Sequence, residues 1–115
     1  MRQKGIDGEL IASDFLKKLG YKIITKNFHS RFGEVDIIAS RGRTIVFVEV
    51  KLRYNNSFGT PLESITRSKL EKIKKTALFY LTLNNKADSD FRFDAVEILY
   101  QDGRRKINHV ENITL

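Results

Sequence analysis

The chain of 115 residues contains no cysteine, no tryptophan, one proline and two histidines. Without cysteine there can be no disulfide and no thiolate metal site, which fits a reducing cytosol. His29 and His109 are too few for a multi-histidine zinc centre. No apolar run approaches the roughly 18 residues that cross a bilayer. The first nine residues are basic in part but hold no apolar signal core. A cytoplasmic protein with no membrane partner is therefore expected. Acids are the minority charge, 14 against 21 Lys and Arg, leaving a formal net charge of +7. Such an excess draws polyanions through counterion release, so nucleic acid is the leading partner class. A merely solvated basic surface is the plainer alternative. With 41% hydrophobic and 30% charged residues, the composition favours a soluble globule over disorder, and the length suits one domain over residues 1–115.

Helical periodicity runs from Gly5 to Leu19, with Ile6, Leu10, Phe15, Leu16 and Leu19 as an apolar stripe and Gly20 as the stop. Strands are expected at 21–28, 33–40 and 44–53, the last two joined by a turn at Arg41-Gly42-Arg43. Residues 54–59 read as an exposed loop, and Thr60-Pro61-Leu62-Glu63 as a short helical turn. Ser68-Lys69-Leu70-Glu71 has the form of a capping box opening a second helix that ends near Asn84-Asn85, with Leu70, Ile73, Ala77, Leu78 and Leu81 as its stripe. Strands at 91–100 and 106–113 follow, around Asp102-Gly103. The order α-β-β-β-α-β-β predicts an α/β fold, a central mixed sheet of about five strands flanked by two helices.

Two of these strands carry acids that a buried sheet normally excludes. In 46–52, Val46, Val48, Val50 and Leu52 line one face, while Ile45, Phe47, Glu49 and Lys51 line the other. The second face turns from apolar to charged, as a sheet does where its core opens into a cleft. A two-residue loop at Gly42-Arg43, or a four-residue loop from Arg41 to Thr44, puts Asp36 opposite Glu49 and Glu34 opposite Lys51; a three-residue loop puts the acids on opposite faces. Opposed carboxylates about 5 Å apart repel by roughly 3 kcal/mol at an effective dielectric near 20. With Mg²⁺ or Mn²⁺ they become a hard oxygen site instead, because such ions take one or two carboxylates and fill the rest with water and phosphate. Lys51 projects on the same face about 6.5 Å along the strand from Glu49. A surface ladder of ion pairs is the plainer reading of the same residues.

Asp36 followed by Glu49-Val50-Lys51 on the next strand resembles the PD-(D/E)xK nuclease superfamily, whose restriction-endonuclease-like core is a sheet flanked by helices. The fuller set is Gly8-Glu9-x-x-Ala12, Gly20-Tyr21, Asn27, Gly33-Glu34-x-Asp36, Phe47-Val48-Glu49-Val50-Lys51-x-Arg53, Phe58-Gly59-x-Pro61, Lys69 and Arg92-Phe93-Asp94. It resembles the YraN family, small bacterial proteins grouped with endonucleases and similar to archaeal Holliday-junction resolvases. The resemblance implies Asp36 and Glu49 as metal ligands, Lys51 as the catalytic lysine and Glu9 as a further acid near the metal. His29 stands where the family is expected to have arginine after Asn27, and Arg31 could take over a phosphate contact there. Arg53 and Lys69 could also contact phosphate, although solvated charge explains each equally well. Arg92 and Asp94, on one strand face, suit an internal ion pair. His29 and His109 read as ordinary polar residues. The resolvase likeness also implies a homodimer, since a four-way junction presents two strands to cut.

Three functions are compatible with these residues. One is a metal-dependent endonuclease acting on DNA rather than RNA, on branched or otherwise structured substrates. Another is a nucleic-acid-binding module with a nuclease-like fold and little turnover. The last is an interaction protein whose basic face meets an acidic partner.

Overall fold

The computed structural model describes residues 7–54 and 65–113. The Phe58-Gly59-x-Pro61 motif, the Thr60–Glu63 turn and Ile6 lie outside the described residues. The elements are α1 (Gly8–Lys18), β1 (Lys22–Ser30), β2 (Gly33–Arg41), β3 (Thr44–Tyr54), α2 (Arg67–Leu83), β4 (Asp90–Gln101) and β5 (Arg104–Val110). They form one five-stranded sheet in the order β1-β2-β3-β4-β5, mixed because β3 and β4 run parallel while the other neighbours are antiparallel. This is the expected α/β order. No described helix is long and apolar enough to cross a membrane.

A parallel pair needs a crossover, and α2 lies in that connection. The parallel pair is covered on both faces, which explains why Ile45, Val46, Phe47 and Val48 are all buried in succession. On one face Ala12 and Leu16 of α1 pack against Val46, Val48, Val96 and Ile98, with Val50 and Leu52 partly buried beside them. On the other, Ile73, Ala77, Tyr80 and Leu81 of α2 pack against Ile38, Ile45 and Phe47. Full burial of each large apolar side chain contributes about 1.5–3 kcal/mol, so these two layers supply most of the hydrophobic stabilisation.

The helix faces differ in part from the sequence stripes. Leu10 is 48% exposed and Leu78 is 55% exposed, whereas Ser13, Thr76 and Tyr80 are turned inward. Each buried hydroxyl of Ser13 and Thr76 donates to the carbonyl four residues earlier, Glu9 O at 2.7 Å and Lys72 O at 2.9 Å. That contact removes the penalty for burying a polar group. The cap of α2 is Thr66, whose Oγ1 accepts from Lys69 N at 3.1 Å. The helix therefore starts one residue before Ser68, which sits inside its first turn and does not cap it.

The β1–β2 hairpin turns through Arg31-Phe32 and is seated on α2. Ser30 Oγ accepts from Phe32 N at 3.1 Å and lies 3.2 Å from Thr76 Oγ1. Gly33 suits its backbone, at φ +150° where L side chains are strained; a Cβ there would make ordinary contact with α2, 3.4 Å from Lys72 Cβ and 3.5 Å from Thr76 Oγ1.

Candidate active site

The Gly42-Arg43 turn joins Arg41 to Thr44 directly, and the β2/β3 ladder runs from that pair to Ile37 opposite Val48. This is the register in which Asp36 and Glu49 come next on a shared face. There the ladder stops. Val50 N donates to Asp36 Oδ2 at 2.7 Å, so a side-chain carboxylate takes the place of a ladder carbonyl and the strands part. Strand β2 also rolls over at this point. Val35 joins the α2-side core and Ile37 the α1-side core, although strand parity alone would keep them together. Asn27, left opposite Asp36 by the β1/β2 register, has φ 54°, a left-handed conformation that asparagine tolerates.

The Asp36 and Glu49 carboxyls are hydrogen-bonded to each other. Two carboxyls in that contact hold a proton between them. Burial first, then the hydrogen bond and charge of Glu49, push Asp36 up to about 8; the Val50 N–H works the other way and the charge of Glu9 adds to the rise. Burial also acts to raise Glu49, but hydrogen bonds from Asp36 and Lys69 and the charges of Lys69 and Lys51 outweigh it and hold the group below its ordinary value. The shared proton therefore resides on Asp36.

Two lysines complete the cluster. Lys69, in the first turn of α2, places Nζ 2.8 Å from Glu49 Oε2. Lys51, two residues after Glu49 on β3, stands beside Lys69; that neighbouring ammonium first, then burial, lowers its pKa against the pull of the acids. Lys69 moves upward: burial opposes, while its ion pair with Glu49 and the charges of Glu49 and Asp36 prevail. A cleft of about 200 Å³ opens here, lined by Gly33, Glu34, Glu49, Lys69, Lys72 and Ile73.

Glu9 sits in the first turn of α1, close enough for its charge to bear on Asp36. Gly8 seats that turn on β3, since a Cβ there would meet Val50 Cγ1 at 3.5 Å. Arg31 is exposed at the hairpin turn, its guanidinium 4.9 Å above the Phe32 ring. Arg53 Nε lies 2.6 Å from Glu97 Oε2, with both side chains largely buried, so its charge is balanced inside the fold. Glu34 pairs with His29 at 3.1 Å across β1/β2 and not with Lys51, because β3 has already separated from β2 at that level. Lys72, which no motif singled out, lines the cleft one helical turn beyond Lys69.

No group of three or more His, Cys, Asp or Glu side chains able to hold a metal occurs among the described residues. Two carboxylates nevertheless suffice for Mg²⁺ or Mn²⁺, which complete octahedral coordination with water and substrate oxygens. The donor set of Asp36 and Glu49 fits such an ion once the shared proton leaves.

On the opposite face of the sheet lies a separate cluster. Asp94 accepts from Arg92 Nε at 3.0 Å, Arg92 Nη2 at 3.2 Å and Asn112 N at 2.9 Å, and contacts His109 Nε2 at 2.7 Å. Arg92 also donates to Tyr21 Oη and pairs with Glu111 at 3.0 Å. The expected Arg92–Asp94 pair is present, and His109, expected to be an ordinary polar residue, is a half-buried partner of Asp94 packed edge-on against Phe15 and Tyr21.

Residues 8–98 match the model of the uncharacterised protein family UPF0102. A UPF0102 protein of Syntrophomonas wolfei is 44% identical over 111 residues, covering 96% of each chain. Another from Clostridium novyi is 46% identical over 110 residues, covering 94% of this chain and 92% of its own. A third, from a Sulfurihydrogenibium species, is 46% identical over 110 residues, with 96% and 92% covered. With matches of this extent, the chain belongs to UPF0102, the YraN family that its motifs resemble.

Proposed function

We propose that the chain is a metal-dependent endonuclease that hydrolyses phosphodiester bonds in DNA. The observation that carries this reading is the parting of β2 and β3 at Asp36, which leaves two hydrogen-bonded carboxyls beside two lysine amines at the edge of a cleft. Buried like charges are retained at such cost mainly where they serve a site. A net charge of +7 supports a polyanionic substrate.

Asp36 and Glu49 would hold Mg²⁺ or Mn²⁺, which when bound supplies Lewis-acid activation of phosphate and water. Asp36 gives up its proton to become a ligand. Lys51 is placed to orient the attacking water or to donate to a phosphate oxygen as charge builds there. Lys69 holds Glu49 in position through its ammonium and, from the first turn of α2, faces the same cleft as Lys72. In the net reaction one water adds across the P–O bond, leaving a phosphomonoester and a free hydroxyl. Glu9 supplies a further negative charge that favours a cation at Asp36.

The decisive experiment is a cleavage panel of linear, nicked, flapped and four-way-junction DNA, with RNA beside it, in Mg²⁺, Mn²⁺ and chelator. Cleavage that needs metal and disappears in Asp36→Asn is the expected result. Absence of cleavage on every substrate, with intact folding, would remove the nuclease reading. The Lys69–Glu49 ion pair favours one second reading, a nucleic-acid-binding module in which the ammonium neutralises the acid and no ion enters. Salt-sensitive DNA binding together with no calorimetric Mn²⁺ uptake would select it.

A further inference from the structure

We propose that the β1–β2 hairpin turn and the adjoining surface of α2 form a ledge that stacks unpaired bases of the DNA next to the scissile phosphate. The substrate class is then DNA with exposed base faces: single strands, flaps or open junctions. The link to a scissile phosphate rests on the nuclease reading; the binding surface does not.

The ledge is a shallow cavity of about 350 Å³ lined by Arg31, Phe32, Lys75, Leu78, Phe79 and Thr82. Phe79 is 41% exposed, and its ring meets Phe32 at 6.4 Å between centroids and Phe28 at 6.3 Å. These aromatics are supported from beneath. The Phe32 N–H is bound by Ser30, Ser30 is bound to Thr76 of α2, and Gly33 lies against Lys72 and Thr76 of the same helix. A rigid aromatic surface loses little conformational freedom when a base stacks on it.

Charge selects the occupant. Both charged side chains lining the ledge, Arg31 and Lys75, are cationic. Glu34, the acid nearest the turn in sequence, is held by His29. A second copy docking through this same surface would bring like charges together, whereas a nucleic-acid strand supplies phosphates for the cations and π-faces for the phenyl rings. The ledge also continues into the cleft. Lys69 and Lys72 line the cleft and Lys75 the ledge, and a rise of about 1.5 Å per residue spaces them over about 9 Å along α2. That spans two to three nucleotides at about 3.4 Å per step of one strand. Intact duplex hides its base faces inside the stack, so phenyl stacking discriminates for unpaired nucleotides.

The test is binding in chelator, where nothing is cut. A single-stranded and a flapped oligonucleotide carrying 2-aminopurine are compared with a blunt duplex of the same length. Wild type should bind the unpaired substrates more tightly and quench 2-aminopurine by stacking. Phe79→Ala should weaken that binding by roughly tenfold, abolish the quench and leave duplex affinity unchanged. Lys75→Glu, at an exposed position with no packing role, should weaken binding and retain the fold by circular dichroism. Unaltered affinity and quench in both variants would overturn the ledge, while metal-dependent cleavage by wild type would still uphold the nuclease. Ledge-dependent binding without any cleavage would uphold the ledge and remove the nuclease reading. A shift in the monomer–dimer equilibrium of Phe79→Ala in sedimentation, without loss of the quench, would make the surface a contact between copies and overturn the proposal.

Discussion

The sheet carries an aspartate cluster on each face, and the two aspartates titrate in opposite directions. Asp94 is 1% exposed, the more deeply buried of the two. Burial pushes Asp94 up, yet the hydrogen bonds from His109, Arg92 and Asn112 N and the charge of Arg92 hold it below its ordinary value. Asp36 is more exposed, yet it rises to about 8, because burial is there reinforced by a second carboxyl and Glu9, with only one backbone donor opposing them. Depth alone does not decide a carboxylate's state; the sign of its neighbours does. One cluster is satisfied and braces β4 to Tyr21, His109 and Asn112. The other sets two carboxyls against each other, with Lys69 paired to Glu49 alone.

The comparison can be broken most severely at Asp94. Asp94→Ala leaves Arg92 and His109 without their buried partner and should cost about 3–5 kcal/mol in denaturant unfolding. Asp36→Asn keeps an acceptor for Val50 N and removes the cost of holding a carboxyl protonated above its ordinary pKa, so its stability should be unchanged or slightly higher while cleavage vanishes. Equal destabilisation by the two substitutions would show the clusters to be alike in role. A smaller effect is expected at Lys51→Ala, where Mn²⁺ binding by calorimetry persists and turnover falls by about 10²–10³. Undiminished cleavage would take the lysine out of the mechanism.

Protons sharpen the contrast further. The folded pKa of Asp36, about 8, lies above its ordinary 3.8, so the folded state holds a proton that the unfolded chain has released between those values. This group's contribution to stability is full below the unfolded value and is lost as pH rises through about 8. An ion needs the carboxylate, so Mn²⁺ affinity should rise about tenfold per pH unit up to that point and then level off. Calorimetry across pH 6 to 9 checks it; a flat profile would mean that Asp36 is no ligand. The smallest change expected is at the hairpin seat, where Gly33→Ala should lose about 1 kcal/mol through its strained φ.

Much of this was legible in the chain itself. Strict alternation in β3 separates Val46, Val48 and Val50 from Phe47, Glu49 and Lys51, and a two-residue Gly42-Arg43 turn is one of the loops that bring Asp36 toward Glu49, a choice the observed ladder settles. Those are local properties of period and loop length. What escaped depends on partners distant in sequence. The Lys69–Glu49, Arg53–Glu97 and His109–Asp94 contacts leave no trace in any single segment. Leu10 and Leu78 fit a helical stripe by hydropathy, yet Ser13, Thr76 and Tyr80 face the sheet, the two small hydroxyls because each donates to a carbonyl one turn back. The Glu34–Lys51 pair failed because an alternating pattern says nothing of where two strands cease to run together.

That point of separation also sets a mechanical polarity. β3 and β4 stay in step from Thr44 beside Asp90 to Tyr54 beside Tyr100, well past the level at which β2 has left. The parallel pair thus acts as an anvil behind Glu49 and Lys51, and the β1–β2 hairpin, seated on α2, as a fixed cheek beside them. On the nuclease reading proposed above, an entering strand lies between two supports that hold still.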